Sequence, residues 1–143
     1  MVFRFTHIKI LFVVLLLTAC QVPKDPENSF SSAQKSGLKV GVVNNPPFVL
    51  VNNGSYTGPE IKLIKNFAKA NKLNIQFYEG SESNLVKDLE NYNLHIVAGG
   101  FEKNSLWKKR ATLSKPYDKK HVLLLPRGEN KLLFEIEKHI LKN

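Results

Sequence analysis

The stretch Leu38-Lys39-Val40-Gly41-Val42-Val43-Asn44-Asn45-Pro46-Pro47-Phe48 decides how the chain is read. Leu38–Val43 is a short apolar run rich in β-branched residues, the pattern of a strand covered on both faces. Two prolines follow an Asn pair. Each lacks an N–H and fixes φ, so the chain must leave a sheet there in an extended arch. In an open parallel sheet, the loop at the carboxyl end of such a strand is where ligands sit. Asn45, Pro47 and Phe48 are therefore the first candidate ligand-binding residues. The competing reading is a strand, a proline stop and a core Phe.

Upstream, Arg4 and Lys9 precede an apolar run from Ile10 to Leu17, closed by Thr18-Ala19-Cys20. This is the pattern of a secretory signal, too short for a membrane span. Leu17-Thr18-Ala19-Cys20 resembles a bacterial lipobox, which implies cleavage after residue 19 and lipidation of Cys20. The chain has 1 Cys, so no internal disulfide is expected and its place at the cleavage edge suits an anchor. The expected organisation is a signal peptide over 1–19, a flexible lipid-anchored tether over 20–37 and one domain over 38–143. The tether reading rests on prolines, Ser and Asn with few apolar residues. Gln21-Val22 after the Cys carries no acidic signal, so an outer membrane is expected over an inner one in a cell with two.

At 143 residues the chain has room for one domain. Its formal net charge is +9, and loss of residues 1–19 removes Arg4 and Lys9 but no acid. Lysines scattered over predicted helices, without Arg clusters or aromatic platforms, argue against nucleic acid and for a basic surface facing anionic lipid or cell wall.

Downstream, Phe48–Val51 is expected to pair with Ser55–Thr57 across Asn52-Asn53-Gly54, where an Asn-Gly pair supplies the positive φ of a tight hairpin. Gly58-Pro59-Glu60 opens a helix, with Pro at its start and Glu60 at the positive end of its dipole. Ile61, Ile64, Phe67 and Ala68 form its inner face. Leu73–Tyr78 is a second strand. Ser81–Ser83 offer N-caps for a helix to Tyr92, and Leu94–Ala98 is a third strand ended by Gly99-Gly100-Phe101. Paired glycines let a ligand or backbone approach closely, which adds Gly99, Gly100 and Phe101 to the candidate site. Trp107 joins them because a large aromatic in a polar segment is costly to expose without use. His95 reads as a hydrogen-bonded strand-end residue, with no second ligand at metal spacing. His121–Leu125 is a last apolar strand, and Glu129–Lys142 an amphipathic helix. Strands alternating with crossover helices give an α/β fold with a mostly parallel sheet flanked by helices. Strands one and three then lie side by side and bring the Asn45–Phe48 and Gly99–Phe101 loops to one rim.

This order of signals resembles the first lobe of bacterial extracellular solute-binding proteins of family 3. The matches are Leu38-Lys39-Val40-Gly41, Pro46-Pro47-Phe48, Gly58, Ile96-Val97-Ala98-Gly99-Gly100 and Leu113-Ser114-Lys115-Pro116-Tyr117. The resemblance implies a single lobe of the type II periplasmic-binding-protein fold, a small polar solute as ligand, and an envelope protein or importer as partner. Two departures stand out. Where the family carries an Arg that clamps the ligand carboxylate, counting back from Ser114 places Trp107, and its hydroxyl positions fall on Glu102 and Asn104. Second, Leu125-Pro126-Arg127-Gly128 leads straight into what resembles the returning helix, so the second lobe is expected to be missing. The functions in play are a lipid-anchored solute- or partner-binding module, an importer subunit completed by another chain or by dimerisation, and an accessory lobe of a cell-wall enzyme. No catalytic constellation, cofactor motif or metal set is legible, so a binding protein is expected rather than an enzyme.

Overall fold

The computed structural model describes residues 25–142. Cys20 and the signal peptide lie outside the described residues. A five-stranded sheet of order β4-β1-β5-β7-β6 is flanked by helices on both faces. Its strands are β1 (Leu38–Val42), β4 (Ile75–Glu79), β5 (Ile96–Glu102), β6 (Thr112–Leu113) and β7 (His121–Leu125). β1 pairs in parallel with β4 and β5, while β7 and β6 are antiparallel additions. The α/β class and the neighbouring of β1 and β5 are as the sequence implies. A hairpin of β2 (Leu50–Asn52) and β3 (Ser55–Thr57) turns at Asn53 and Gly54, both at positive φ.

The sheet alternates its side chains between two apolar layers. On one face, Val40, Ile96 and Leu123 meet α2 (Pro59–Ala70) and α4 (Asn130–Ile140). On the other, Val97, Val122 and Leu124 meet α3 (Glu82–Glu90). α3 is capped by Ser81, whose side chain accepts from the Asn84 N–H.

Two elements differ from the sequence reading. Gly99-Gly100-Phe101 does not end the third strand. β5 runs to Glu102 because antiparallel β7 offers a partner there, across a register irregularity between Val97 and Phe101. The second difference is α1 (Ser29–Ser36), in the stretch read as flexible tether. Its N-terminus has no local side-chain cap. Glu129, 2% exposed, caps it from the far end of the chain, accepting from the Ser29 N–H at 2.7 Å and the Glu27 N–H at 2.8 Å. Phe30 and Ala33 then bury against the α4 side of the core.

His95 is 4% exposed, and its Nδ1 accepts from the Lys39 N–H at 2.9 Å. Burial, with the charge of Lys39, lowers its pKa from 6.5 to about 4. The native state then keeps His95 neutral while the unfolded chain protonates it. His95 should thus cost stability as pH falls from 6.5 towards 4, by about 3 kcal/mol in full, and no more below that. Urea unfolding of the wild type and of His95→Asn, which keeps an acceptor, is the check. Their stability difference should shift against the wild type across that window, and contributions from other titrating groups cancel in the comparison.

Candidate functional site

The carboxyl ends of β1 and β5 form a rim. From β1 the chain enters a tight turn in which the Asn45 N–H donates to the Val49 carbonyl at 2.9 Å and the Phe48 N–H to the Asn45 carbonyl at 3.0 Å. The Pro46–Pro47 bond inside it is cis. Asn45 Nδ2 donates to the Gly99 carbonyl at 2.8 Å, tying this turn to β5. Gly100 has φ +70°, and a Cβ there would lie 2.5 Å from the Phe48 ring and 2.8 Å from Asn45 Nδ2. The paired glycines therefore serve close approach, but what approaches is the chain's own Asn45–Phe48 turn. Gly58, at φ +110°, is constrained likewise, since its Cβ would meet the Phe48 carbonyl at 2.4 Å.

Under this rim lies a residue whose sequence signal is foremost that of a helix-start charge. Glu60 is fully buried, on the first turn of α2. Its carboxylate accepts from the Gly99 N–H at 2.7 Å, the Gly100 N–H at 3.1 Å and the Tyr117 hydroxyl at 2.6 Å. Burial raises its pKa, and the hydrogen bonds from Tyr117, Gly100 and Gly99 pull the other way. The Tyr117 hydroxyl is pushed up in turn, by burial and by the Glu60 charge. Beside Tyr117, Asp118 accepts from the Lys120 and His121 N–H groups, each at 2.8 Å. His121 Nδ1 is 2.7 Å from the Asp118 carboxylate, and the imidazole packs on Phe48 with ring centroids 4.1 Å apart. Tyr117 lies in the Leu113–Tyr117 motif of the family resemblance, and nothing in its local sequence marks it as the partner of Glu60. Asp118 and His121 carry no separate sequence signal.

The expected residues divide. Asn45, Pro47, Phe48, Gly99 and Gly100 come together at the rim, with Phe48 half-buried and Pro47 exposed. Phe101 is a correction, because its side chain is 5% exposed and packs in the core with Leu85 and Val122. Trp107, half-buried on a short 3-10 helix (Leu106–Lys109), packs with the α3-side cluster, and its Nε1–H donates to Glu82 at 2.8 Å. Phe48, Phe101 and Trp107 thus do not share one exposed face. Arg110 is carried to the far end of α3, where its guanidinium forms a two-pronged ion pair with Glu90. Glu102, which would repel an anion, is paired with Lys120. The Gly99, Gly100, Trp107 and Lys120 donors are thus already answered by the chain's own carboxylates. Among the described residues, no cluster of His, Cys, Asp or Glu is arranged to hold a metal.

The model of the bacterial extracellular solute-binding proteins, family 3, matches residues 38–142. The chain belongs to this family. A probable histidine-binding protein of Campylobacter jejuni is 28% identical over 114 residues, covering 78% of this chain and 44% of the relative. Membrane-bound lytic murein transglycosylase F of Vibrio parahaemolyticus is 28% identical over 99 residues, covering 68% of this chain but 19% of that protein. The chain therefore spans less than half the length of these curated relatives. Among solved structures, the arginine-bound form of domain 1 from TmArgBP superposes with a TM-score of 0.71, at 20% identity, over 78% of this chain and 98% of that one. The fold is that of one periplasmic-binding-protein domain. β7 passes to α4 through Pro126–Glu129 alone, so no second lobe is inserted at that point.

Tyr117→Phe removes one of the donors to the buried Glu60 carboxylate and should destabilise the domain by about 1–3 kcal/mol. The same change in a Glu60→Gln background should cost clearly less, because no charge is then left under-solvated. Urea unfolding of the four proteins measures the coupling.

Proposed function

We propose that this family 3 domain is a lipid-anchored module of the cell envelope. Cys20 carries the anchor, on the periplasmic face and at the outer membrane where there are two. Asn45, Pro47 and Phe48, seated on Gly99 and Gly100, form a rim that meets a small polar solute only weakly, and Trp107 with Leu106 forms a separate contact for a partner protein. Membership of a solute-binding family supports binding over catalysis. The lytic transglycosylase relative keeps an enzyme-associated lobe in view, with the present chain matching under a fifth of it.

The observation that carries this reading is that the donors near the rim are spent internally. Glu60 takes the Gly99 and Gly100 N–H groups, Glu82 takes the Trp107 N–H, and Glu90 holds Arg110 away. A ligand carboxylate is best held by a charged fork that matches its two oxygens, and none is offered here. Leu106, 79% exposed beside Trp107, supports the partner contact, since exposed apolar side chains next to an aromatic concentrate binding energy in interfaces.

The second reading is an importer subunit for an amino acid, completed by another chain or by dimerisation. It is favoured by the histidine-binding relative and by a solved neighbour, a single domain of an arginine-binding protein in arginine-bound form. Calorimetric titration of the chain from residue 20 with L-histidine and L-arginine separates the two. Millimolar or weaker binding, about 4 kcal/mol, is expected. Micromolar binding of either would overturn the weak-module reading and establish the receptor.

A further inference from the structure

We propose that the α1–α4–α2 layer is a membrane-facing surface, whose partner is an anionic lipid bilayer. This rests on the lipid anchor proposed for Cys20 and adds an orientation to it.

The outer face of α4 carries the pattern. Leu132, Ile136 and Ile140 are buried. The residues pointing away from them are Lys131, Phe134, Lys138 and Leu141, with Lys142 beside them, all exposed. Phe134 is 61% and Leu141 70% exposed, although both are large and apolar. The lysine ammonium groups lie over aromatic rings, Lys138 Nζ 5.8 Å from Phe134 and Lys131 Nζ 5.5 Å from Phe30. An apolar strip flanked by lysines is the chemistry that lies at a headgroup boundary, with rings in the acyl edge and ammonium groups among phosphates. Among the described residues, no helix is long and apolar enough to cross a membrane.

Charge extends the pattern to the whole layer. α2, packed beside α4, presents Lys62, Lys65 and Lys69 to solvent. Its first-turn acid, Glu60, is buried at the rim. Of α4's acids, Glu137 is held by Lys115, and Glu135 shares Lys138 at 3.4 Å, which leaves Lys131 and Lys142 as the exposed cations of this helix outside an ion pair. On the opposite layer α3 carries Glu82, Asp88 and Glu90 against Lys87, and the lysines of that side, Lys108 and Lys109, stand on the short 3-10 helix without an exposed apolar strip like that of α4.

The reach of the chain points to the same face. The Asp25 N–H donates to the Gly128 carbonyl and the Asp25 carboxylate accepts from the Lys131 N–H, so the chain is pinned to the start of α4. Five residue steps separate Asp25 from Cys20, at most about 18 Å fully extended, whereas a domain of this size is about 30 Å across. A lipid on Cys20 holds this corner against the bilayer. Gly128 follows the carboxyl end of β7, which runs antiparallel to β5, so the corner lies at the opposite end of the sheet from the rim. The rim stays open while the lysine layer meets the lipid.

The test uses the chain from residue 20 with Cys20→Ser, made without lipid, and vesicles of phosphatidylcholine with or without phosphatidylglycerol. Sedimentation with the anionic vesicles alone is expected. Reversing Lys131 and Lys138 together to Glu should weaken it about tenfold or more. Phe134→Ser with Leu141→Ser should weaken it several-fold at unchanged thermal stability, and Lys87→Glu on α3 should leave it unchanged. The proposal is overturned by equal binding to both vesicles or to neither, or by a Lys87→Glu loss as large as that of the α4 pair. Loss of a dimer in sedimentation velocity on Phe134→Ser would assign the face to a second copy. Tight binding to soluble polyglutamate that ignores Phe134 and Leu141 would assign it to a polyanion. Incorporation of a labelled fatty acid at Cys20 in cells tests the anchor separately; its absence would remove the anchor reading without touching the vesicle result.

Discussion

A carboxylate with no exposed surface organises the functional end of this domain. Glu60 would be prohibitively costly as a bare buried charge. It is tolerated because two backbone N–H groups of β5 and the Tyr117 hydroxyl converge on it. Those donors come from separated parts of the chain, so satisfying one side chain fixes the first turn of α2, the end of β5 and the approach to β7 relative to each other. Gly58 and Gly100 follow from the same constraint, because both permit the Asn45–Phe48 turn to close over the clamp.

The clamp has a chemical consequence. Paired N–H groups beside glycines are a natural anion site, and here the anion is built in. The same logic recurs nearby, with Glu82 on the Trp107 indole, Glu102 on Lys120 and Asp118 on His121. A basic chain thus answers several donors at its binding end with its own carboxylates, while the helical layer of α2 and α4 presents exposed Lys62, Lys65, Lys69, Lys131 and Lys142. Solute recognition and surface electrostatics are separated on the molecule.

Much of the fold was legible because it rests on local signals. The β-branched run at Leu38, the Asn53-Gly54 turn, the Pro59 helix start and the apolar phases of α2 and α4 each state their structure within a few residues. What escaped depends on partners distant in sequence. α1 has no cap of its own, and Glu129 supplies one across a separation of 100 residues. β5 outruns its glycines because β7 arrives to pair with it. Glu60 looks like any acid in a first helical turn until β5 and Tyr117 close on it. Phe101 and Phe48 have equal claim to a rim in the sequence, and only strand alternation across the irregularity in β5 sends Phe101 into the core and leaves Phe48 at the surface.

Amide hydrogen exchange at Gly99 and Gly100 tests the central claim most directly, since it asks whether the rim donors are held by the chain itself. Without any solute, both amides should exchange as slowly as those in the middle of β1. In Glu60→Ala they should become fast while the β1 amides stay protected. Fast exchange at Gly99 and Gly100 in the wild-type protein, slowed only when a carboxylate-bearing solute is added, would mean that the donors are free for a ligand and that the account is wrong.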